Sequence, residues 1–547
     1  MPRLAMTNLV KVAFFAFLAG CAASPGAAAP IIAQTAAREA HGGKTGAPAV
    51  ASEAPAADDS VAVADFDQLV AMVRRYHVFA PQTEKNLGKK WDADLPRLRA
   101  EFLAAKTPEA LEIALWHFGN SLHDVHCQYR SKKEKGERLQ LGFRVRVEKH
   151  EGRHRFYVEE VSAKALDGKL TSGDVIESVD GAPAEKLIDE HELVSNMNSR
   201  DNIAGEVASW LTSRRTWTTT LRPGAISKWT VRPRAGGDPK VLELTWKKLE
   251  SGDDDSDFAL PYDDQDCVHR DAKTYGSYKL TARGYRVCIY TSTAPKYRDY
   301  PIVRQVSFRY DEYPHGPLVD YELIRSTLAR TKHKGVVLDM QDNGGGMNPN
   351  IFVEWWTDKP YTDTVTRMVL DETLVRDSKG EDHIINGEGP VKSWYEAELA
   401  RRSPGQRVSG PRPFMCKPDT CAWNNEYTPK RRVTTAPVAL LLGPGCASSC
   451  DAVTWHFDKD DIGPIIGRPP MSGFTTNRAR FDVVPAPGKR EIGTIDFAIS
   501  YDAASGTDES IEAVPVKIDV PVERTFENHA RYDQLLVDRA IEALQRR

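Results

Sequence analysis

No basic stripe runs through this chain of 547 residues, whose formal net charge is −4. It therefore lacks the electrostatic footprint expected of a nucleic-acid-binding protein. The apolar run Val12-Ala-Phe-Phe-Ala-Phe-Leu-Ala-Gly20 is too short to span a bilayer, and no other stretch is long enough. The eight cysteines show none of the paired-knuckle spacings of a zinc site, and no metal or nucleotide cofactor is expected. Length alone excludes a single hydrophobic core, so three or more domains are expected.

The N-terminus reads as an export signal, with Arg3 and Lys11 flanking the short apolar run. It ends in Leu18-Ala-Gly-Cys21, which resembles a bacterial lipobox. That resemblance implies cleavage before Cys21 and its acylation, a stable membrane anchor. An ordinary signal peptide containing a cysteine is the alternative. Ala22 and Ala23 stand where an aspartate would direct inner-membrane retention, so the expected location is the bacterial cell envelope, lipid-anchored at the outer membrane and facing the periplasm. In that oxidising compartment Cys416/Cys421 and Cys446/Cys450 are the candidate disulfides, and Cys127 the expected free thiol.

Composition and periodicity then divide the chain. Residues 22–60 are rich in Ala, Gly, Pro and Ser and read as a flexible tether. Residues 61–134 carry apolar side chains at helical spacing (Phe66, Leu69, Val73; Leu111, Leu115, Phe118), a small helical domain. Residues 135–250 turn to short strands, and residues 251–274 form an acidic linker. From 275 to 547 strands alternate with helices, an α/β core, interrupted at 370–434 by a segment expected to be a surface insertion or lid. The whole is an α/β multidomain chain.

Two stretches carry the chemistry. Leu338-Asp-Met-Gln-Asp-Asn-Gly-Gly-Gly346 follows an apolar strand, and its glycines let backbone N–H groups approach a substrate carbonyl. Gly443-Pro-Gly-Cys-Ala-Ser-Ser-Cys-Asp451 places two serines where a buried strand gives way to a helix whose dipole favours developing negative charge. A serine nucleophile needs a base, ordinarily histidine. His126, close to His123 and Asp124, is one candidate; His456, five residues beyond Asp451, is another. A metal site built from His117, His123, His126 and Cys127 is a poor third reading, because His117 and His123 do not share a helix face cleanly.

The chain resembles the tail-specific (C-terminal processing) serine proteases and their tricorn-core relatives. The resemblance rests on Leu122-x-Asp124-x-His126 with Tyr129, on Val337 to Gly346, on Ser448-Ser-Cys-Asp451, on Ile466-Gly467, and on Ile511-Glu-Ala-Val-Pro-Val-Lys-Ile-Asp-Val520 taken as a strand. Within residues 135–250, Leu141-Gly-Phe143 and Gly173-Asp-Val-Ile…Val179-Asp-Gly181 resemble a PDZ domain, with some other small β-domain as the alternative. The family implies a crotonase-like core and protein or peptide substrates, with C-terminal tails taken at the PDZ-like domain. Tail-specific members place a lysine base after Gly467; here that turn reads Met471-Ser-Gly-Phe474, and Lys459 is the one lysine between Ser448 and Gly488. The tricorn-core arrangement is therefore implied: Ser448 as nucleophile, His126 as base, Glu512 orienting it, and N–H groups of Gly344 or Gly345 and of Ser449 as oxyanion hole. Ser449 remains an alternative nucleophile. Gln341, Asp451 and Pro515 depart from the family pattern, drift also found in members that only bind ligands. A non-catalytic, PDZ-containing peptide-binding or scaffolding lipoprotein is thus the second functional reading.

Overall fold

The computed structural model describes residues 59–132, 137–249, 275–310, 313, 315–374, 390–412, 415–417, 420–422, 425–474, 477–483 and 492–547. Cys21 and the side chains of Cys416 and Cys421 lie outside what is described; those last two residues face each other in register on a small hairpin.

The helical periodicity near the N-terminus becomes α1 (Asp59–Tyr76), α2 (Leu95–Ala104) and α3 (Pro108–Asn120). Both α2 and α3 carry Pro in their first turn, where no intrahelical partner is lost, and Thr107 caps α3 by accepting the Ala110 N–H. The loop 121–128 then leads into the short strand β1 (Tyr129–Ser131).

The next unit is an antiparallel sheet of β2 (Phe143–His150), β3 (Arg153–Val161), β4 (Val175–Val179), β5 (Ile226–Arg232) and β6 (Lys240–Thr245), in that order. Helix α4 (Arg200–Trp210) lies against the edge strand β2. Phe143, Phe156, Trp229 and Trp246 fill its core.

The C-terminal layer holds β7 (Lys279–Arg283), β8 (Val287–Thr291), β9 (Ile302–Gln305), β10 (Val336–Asp339), β11 (Val438–Leu442), β12 (Ile465–Gly467), β13 (Arg478–Val483), β14 (Gly493–Ala498) and β15 (Val520–Pro521). Seven of these make one sheet, ordered β7-β8-β9-β10-β11-β12-β15 and parallel from β9 onward. Helices α5 (Gly316–Arg330), α6 (Pro390–Arg401), α7 (Ser449–Lys459) and α8 (Tyr532–Arg546) complete it. Buried on both faces, β11 is a continuous apolar run, and β10 is apolar up to the buried Asp339 at its end. Val336, Leu338, Leu440 and Leu442 face α5 and α7, whereas Val337, Ala439 and Leu441 face Leu536, Val537, Ala540 and Ile541 of α8. Burying each large aliphatic side chain of α8 contributes about 1.5–3 kcal/mol.

Two expectations need correction. The segment 370–434 is not simply a surface insertion: Leu370, Leu374, Trp394 and Tyr395 are buried in one core with Phe66, Val73 and Phe118 of the N-terminal helices. That same core takes Ala479, Val483, Ile495 and Phe497, and β1 pairs antiparallel with β14 in a sheet ordered β1-β14-β13. Three short helices leave their apolar stripes unburied, and distant segments cover them. The second correction concerns 511–520, where only Val520 enters a strand. Pro515 has no N–H to donate to a ladder, and the chain at Ile511-Glu-Ala513 turns tightly, with Ala513 at φ 61°.

Candidate active site

Strand β11 ends at Leu442, and the chain turns through Gly443-Pro-Gly445 into α7. The turn is tight because a side chain at Gly445 would meet the Gln341 carbonyl at 2.7 Å. Ser448 is the N-cap residue of α7, at φ 60° and ψ −123°, and its hydroxyl makes no capping bond. Such backbone strain costs about 1–3 kcal/mol and exposes the side chain at a sharp strand-to-helix corner. Ser449 is committed elsewhere: it is buried, and its hydroxyl donates to the Gly346 carbonyl at 3.1 Å. Cys446 and Cys450 are disulfide-bonded across this corner, with Cα atoms 5.4 Å apart, because Cys446 precedes the helix and so lies within bridging reach. Cys127 is a buried free thiol, as expected.

The glycine turn after β10 packs directly onto the corner. A side chain at Gly345 would come within 2.7 Å of Ser448 Cβ and 2.8 Å of the Ser449 nitrogen. Asn343, fully buried, holds this turn: its Nδ2 donates to the Gln305 carbonyl, its Oδ1 accepts the Gly345 N–H at 2.9 Å, and its carbonyl accepts the Ala447 N–H. The Gly345 N–H is thus engaged in this arrangement. The Ser449 N–H stands at the first position of α7, where helices have no internal partner for it.

The loop Met471-Ser-Gly-Phe474 joins the remaining parts. The Ser448 N–H donates to the Gly473 carbonyl at 3.0 Å, and the Met471 N–H to the Cys446 carbonyl at 2.9 Å. Asp451, fully buried, accepts the Ser472 and Gly473 N–H groups at 2.9 Å each. Burial pushes its carboxyl up to about 8 against the opposing pull of those backbone donors. Glu512 Oε2 accepts the Phe474 N–H at 2.7 Å, and the Ala513 N–H returns to the Ser472 carbonyl. Gly473 lies against Val125, where a side chain would sit 1.9 Å from Val125 Cγ2; the next residue is His126. No lysine is in the loop, and Lys459 Nζ is bonded to the Thr362 carbonyl.

His126 is fixed by its backbone, its N–H donating to Asp124 Oδ1 at 2.9 Å and its carbonyl accepting from Arg478. Nδ1 of its ring is buried and has no hydrogen-bond partner among the described residues, so no bond to Glu512 is made there. Burial, reinforced by the positive charge of Arg478, lowers its pKa to about 3. The other histidines have separate partners. His456 is wholly buried between Asp460 (2.8 Å) and Asp363 (3.3 Å). Burial pulls its pKa down, but those two bonds outweigh it and leave the pKa raised. His123 Nδ1 bonds the Met197 carbonyl and His117 Nδ1 bonds Glu101, so they do not assemble with His126 and Cys127. His77, Asp124 and Cys127 do cluster, yet His77 Nδ1 accepts the Ala498 N–H, which places the ring proton on Nε2 and leaves no free lone pair.

Sequence reasoning missed Asn196 and Asn198. Asn196 Nδ2 lies 3.0 Å from both the Asp124 and Cys127 carbonyls, and Asn198 Nδ2 donates to the Ser472 carbonyl at 3.1 Å. They tie the β-rich unit to the histidine loop and the serine loop together; only a Ser-Asn-Met-Asn run outside any motif marked them.

No curated protein matches the sequence. Among solved structures, mature CPAF complexed with lactacystin is similar with a TM-score of 0.65 at 17% identity, covering 89% of this chain and 99% of that one. Mature CPAF alone gives a TM-score of 0.62 at 18% identity, covering 88% and 98%. At such identities the likeness is one of fold. Residues 320–521 match the model of peptidase family S41. That span contains the glycine turn, the serine corner, the 471–474 loop and Glu512, and the chain therefore carries a peptidase family S41 domain.

Proposed function

We propose that this protein is a serine endopeptidase of the tail-specific, tricorn-core type, cutting protein or peptide substrates through an acyl-enzyme at Ser448. His126 takes the hydroxyl proton and returns it to the leaving amine, and Glu512 orients the imidazole once the site closes on substrate. The Ser449 N–H, with the N–H of Gly344, stabilises the oxyanion, an effect of roughly 3–4 kcal/mol per donor; the Gly345 N–H is held by Asn343 instead. The observation that carries this reading is the 471–474 loop, which bonds Ser448 and Glu512 and packs on the residue before His126. A neutral His126 is in the protonation state a base requires. The PDZ-like unit would select substrate ends, an idea supported by α4 lying beside the edge strand β2 with Leu141-Gly-Phe143 at its start. Lipid anchoring at Cys21 belongs to the same proposal and rests on sequence alone.

One observation favours the second reading, a non-catalytic binding protein: the ring of His126 engages neither Ser448 nor Glu512 among the described residues. Catalytic hydrogen bonds commonly tighten only with substrate bound, so hydrolysis decides. Purified protein should cleave unfolded casein in the presence of a chelator, and Ser448→Ala should abolish cleavage. Absence of cleavage by wild type, or its survival in the variant, would support the binding protein or another nucleophile.

A further inference from the structure

A cavity of about 260 Å³ lies between the helical layer and the β-rich unit and shares no lining residue with the serine corner, the glycine turn or the 471–474 loop. The lining includes Arg97, His191, Trp210 and Arg214, and His117, whose Nδ1 bonds Glu101. The guanidinium of Arg214 lies 3.5 Å over the Trp210 ring and 4.8 Å from that of Trp246, and its Nε donates to the Trp210 carbonyl. Among the described residues no carboxylate pairs with it. Burial lowers its pKa to about 9, against a small opposing effect of Asp180. Trp210 Nε1 is buried with no hydrogen-bond partner. His191 is brought down to about 4, first by burial and then by the charges of Arg214, Arg97 and His117, so the positive field converges here. Glu190, the acidic lining residue, offers Arg97 only its backbone carbonyl. The rest of the lining is apolar or uncharged, with Ile113, Leu193, Val194 and Leu221 beside Thr218, Thr219 and Thr220.

A half-buried guanidinium without a carboxylate partner is costly and marks a place where an anion would be favoured. We propose that this cavity binds a small organic carboxylate, an anionic group on a compact apolar body, with the Arg214 guanidinium receiving the carboxylate. The volume suits a ligand smaller than drug size, and planar, bidentate recognition of carboxylates is what arginine does best.

The test is calorimetric titration of the purified protein with N-acetyl-leucine, N-acetyl-leucinamide and inorganic phosphate. N-acetyl-leucine should bind, its amide at least about tenfold more weakly, and phosphate alone weakly or not at all. Arg214→Gln should weaken binding of the acid at least about tenfold. Arg97, exposed at the rim, provides a variant with little risk to folding: Arg97→Gln should weaken it about threefold or more. Ser448→Ala should bind as wild type. Equal affinity for acid and amide, no binding of the acid, phosphate binding as tight as that of the acid, or unchanged affinity in Arg97→Gln together with a folded Arg214→Gln would each overturn the assignment.

Discussion

Ser448 is held at positive φ, and it is not alone: Ser472 and Ala513, at the same site, share that conformation, three of the seven non-glycine residues with positive φ among those described. Strain of this kind persists only where surrounding bonds over-determine it, and Asp451 supplies two of them. Asp451→Ala would orphan the Ser472 and Gly473 N–H groups at about 1–3 kcal/mol each. We expect thermal unfolding to show a loss of about 2–4 kcal/mol; a loss below ~0.5 kcal/mol would mean the loop holds itself. For His126 the lowered pKa, about 3, fixes a pH dependence. The base must be neutral, so acylation of Ser448 should keep its rate well below pH ~6.5, the ordinary histidine value; half-loss near that value would contradict the burial argument. Between the two values the unfolded chain binds more protons, so this residue's contribution to stability rises with pH across that window and is lost on acidification. The proposed roles of Ser448, His126 and Glu512 rest on motifs in the sequence. The commitment of the Gly345 N–H to Asn343 was not legible there, because backbone direction in a glycine turn is set by a side chain two residues back.

At the scale of elements, the 471–474 loop and the 121–128 loop meet at a single glycine. Gly473→Ala would drive a methyl to 1.9 Å from Val125 Cγ2 and displace His126. Activity should fall at least about a hundredfold, given how steeply catalysis depends on sub-ångström placement. The melting temperature should fall less than in Asp451→Ala, and unchanged activity would show the contact is soft. Strand β10, strand β11 and helix α7 were legible to within a few residues, since buried parallel strands are apolar runs bounded by turn residues. The family-like run 511–520 misled because its register in the sequence matches a strand motif while Pro515 and the turn at Ala513 break the ladder.

Taken whole, the molecule is not a string of separable units. The N-terminal helices share a core with residues 368–374, 394–395, 479–483 and 495–499, and Arg75 pairs with Asp371 at 2.6 Å across that join. Local periodicity defines each helix but cannot name the far segment that covers it, so the boundary at 275 was drawn where composition changes rather than where the core divides. A fragment of residues 275–547 should therefore fail to unfold cooperatively by calorimetry; a sharp two-state transition would show that the S41 domain closes its own core. The same docking brings Val125, the residue before His126, against Gly473 of the loop that bonds Ser448 and Glu512, and the proposal that Ser448, His126 and Glu512 act together is the central claim. Fluorophosphonate labelling with peptide mass mapping tests it most directly. The account predicts an adduct on Ser448 that collapses in His126→Ala and in Glu512→Ala and survives in Ser449→Ala. An adduct on Ser449, or labelling of Ser448 undiminished in His126→Ala, would contradict it.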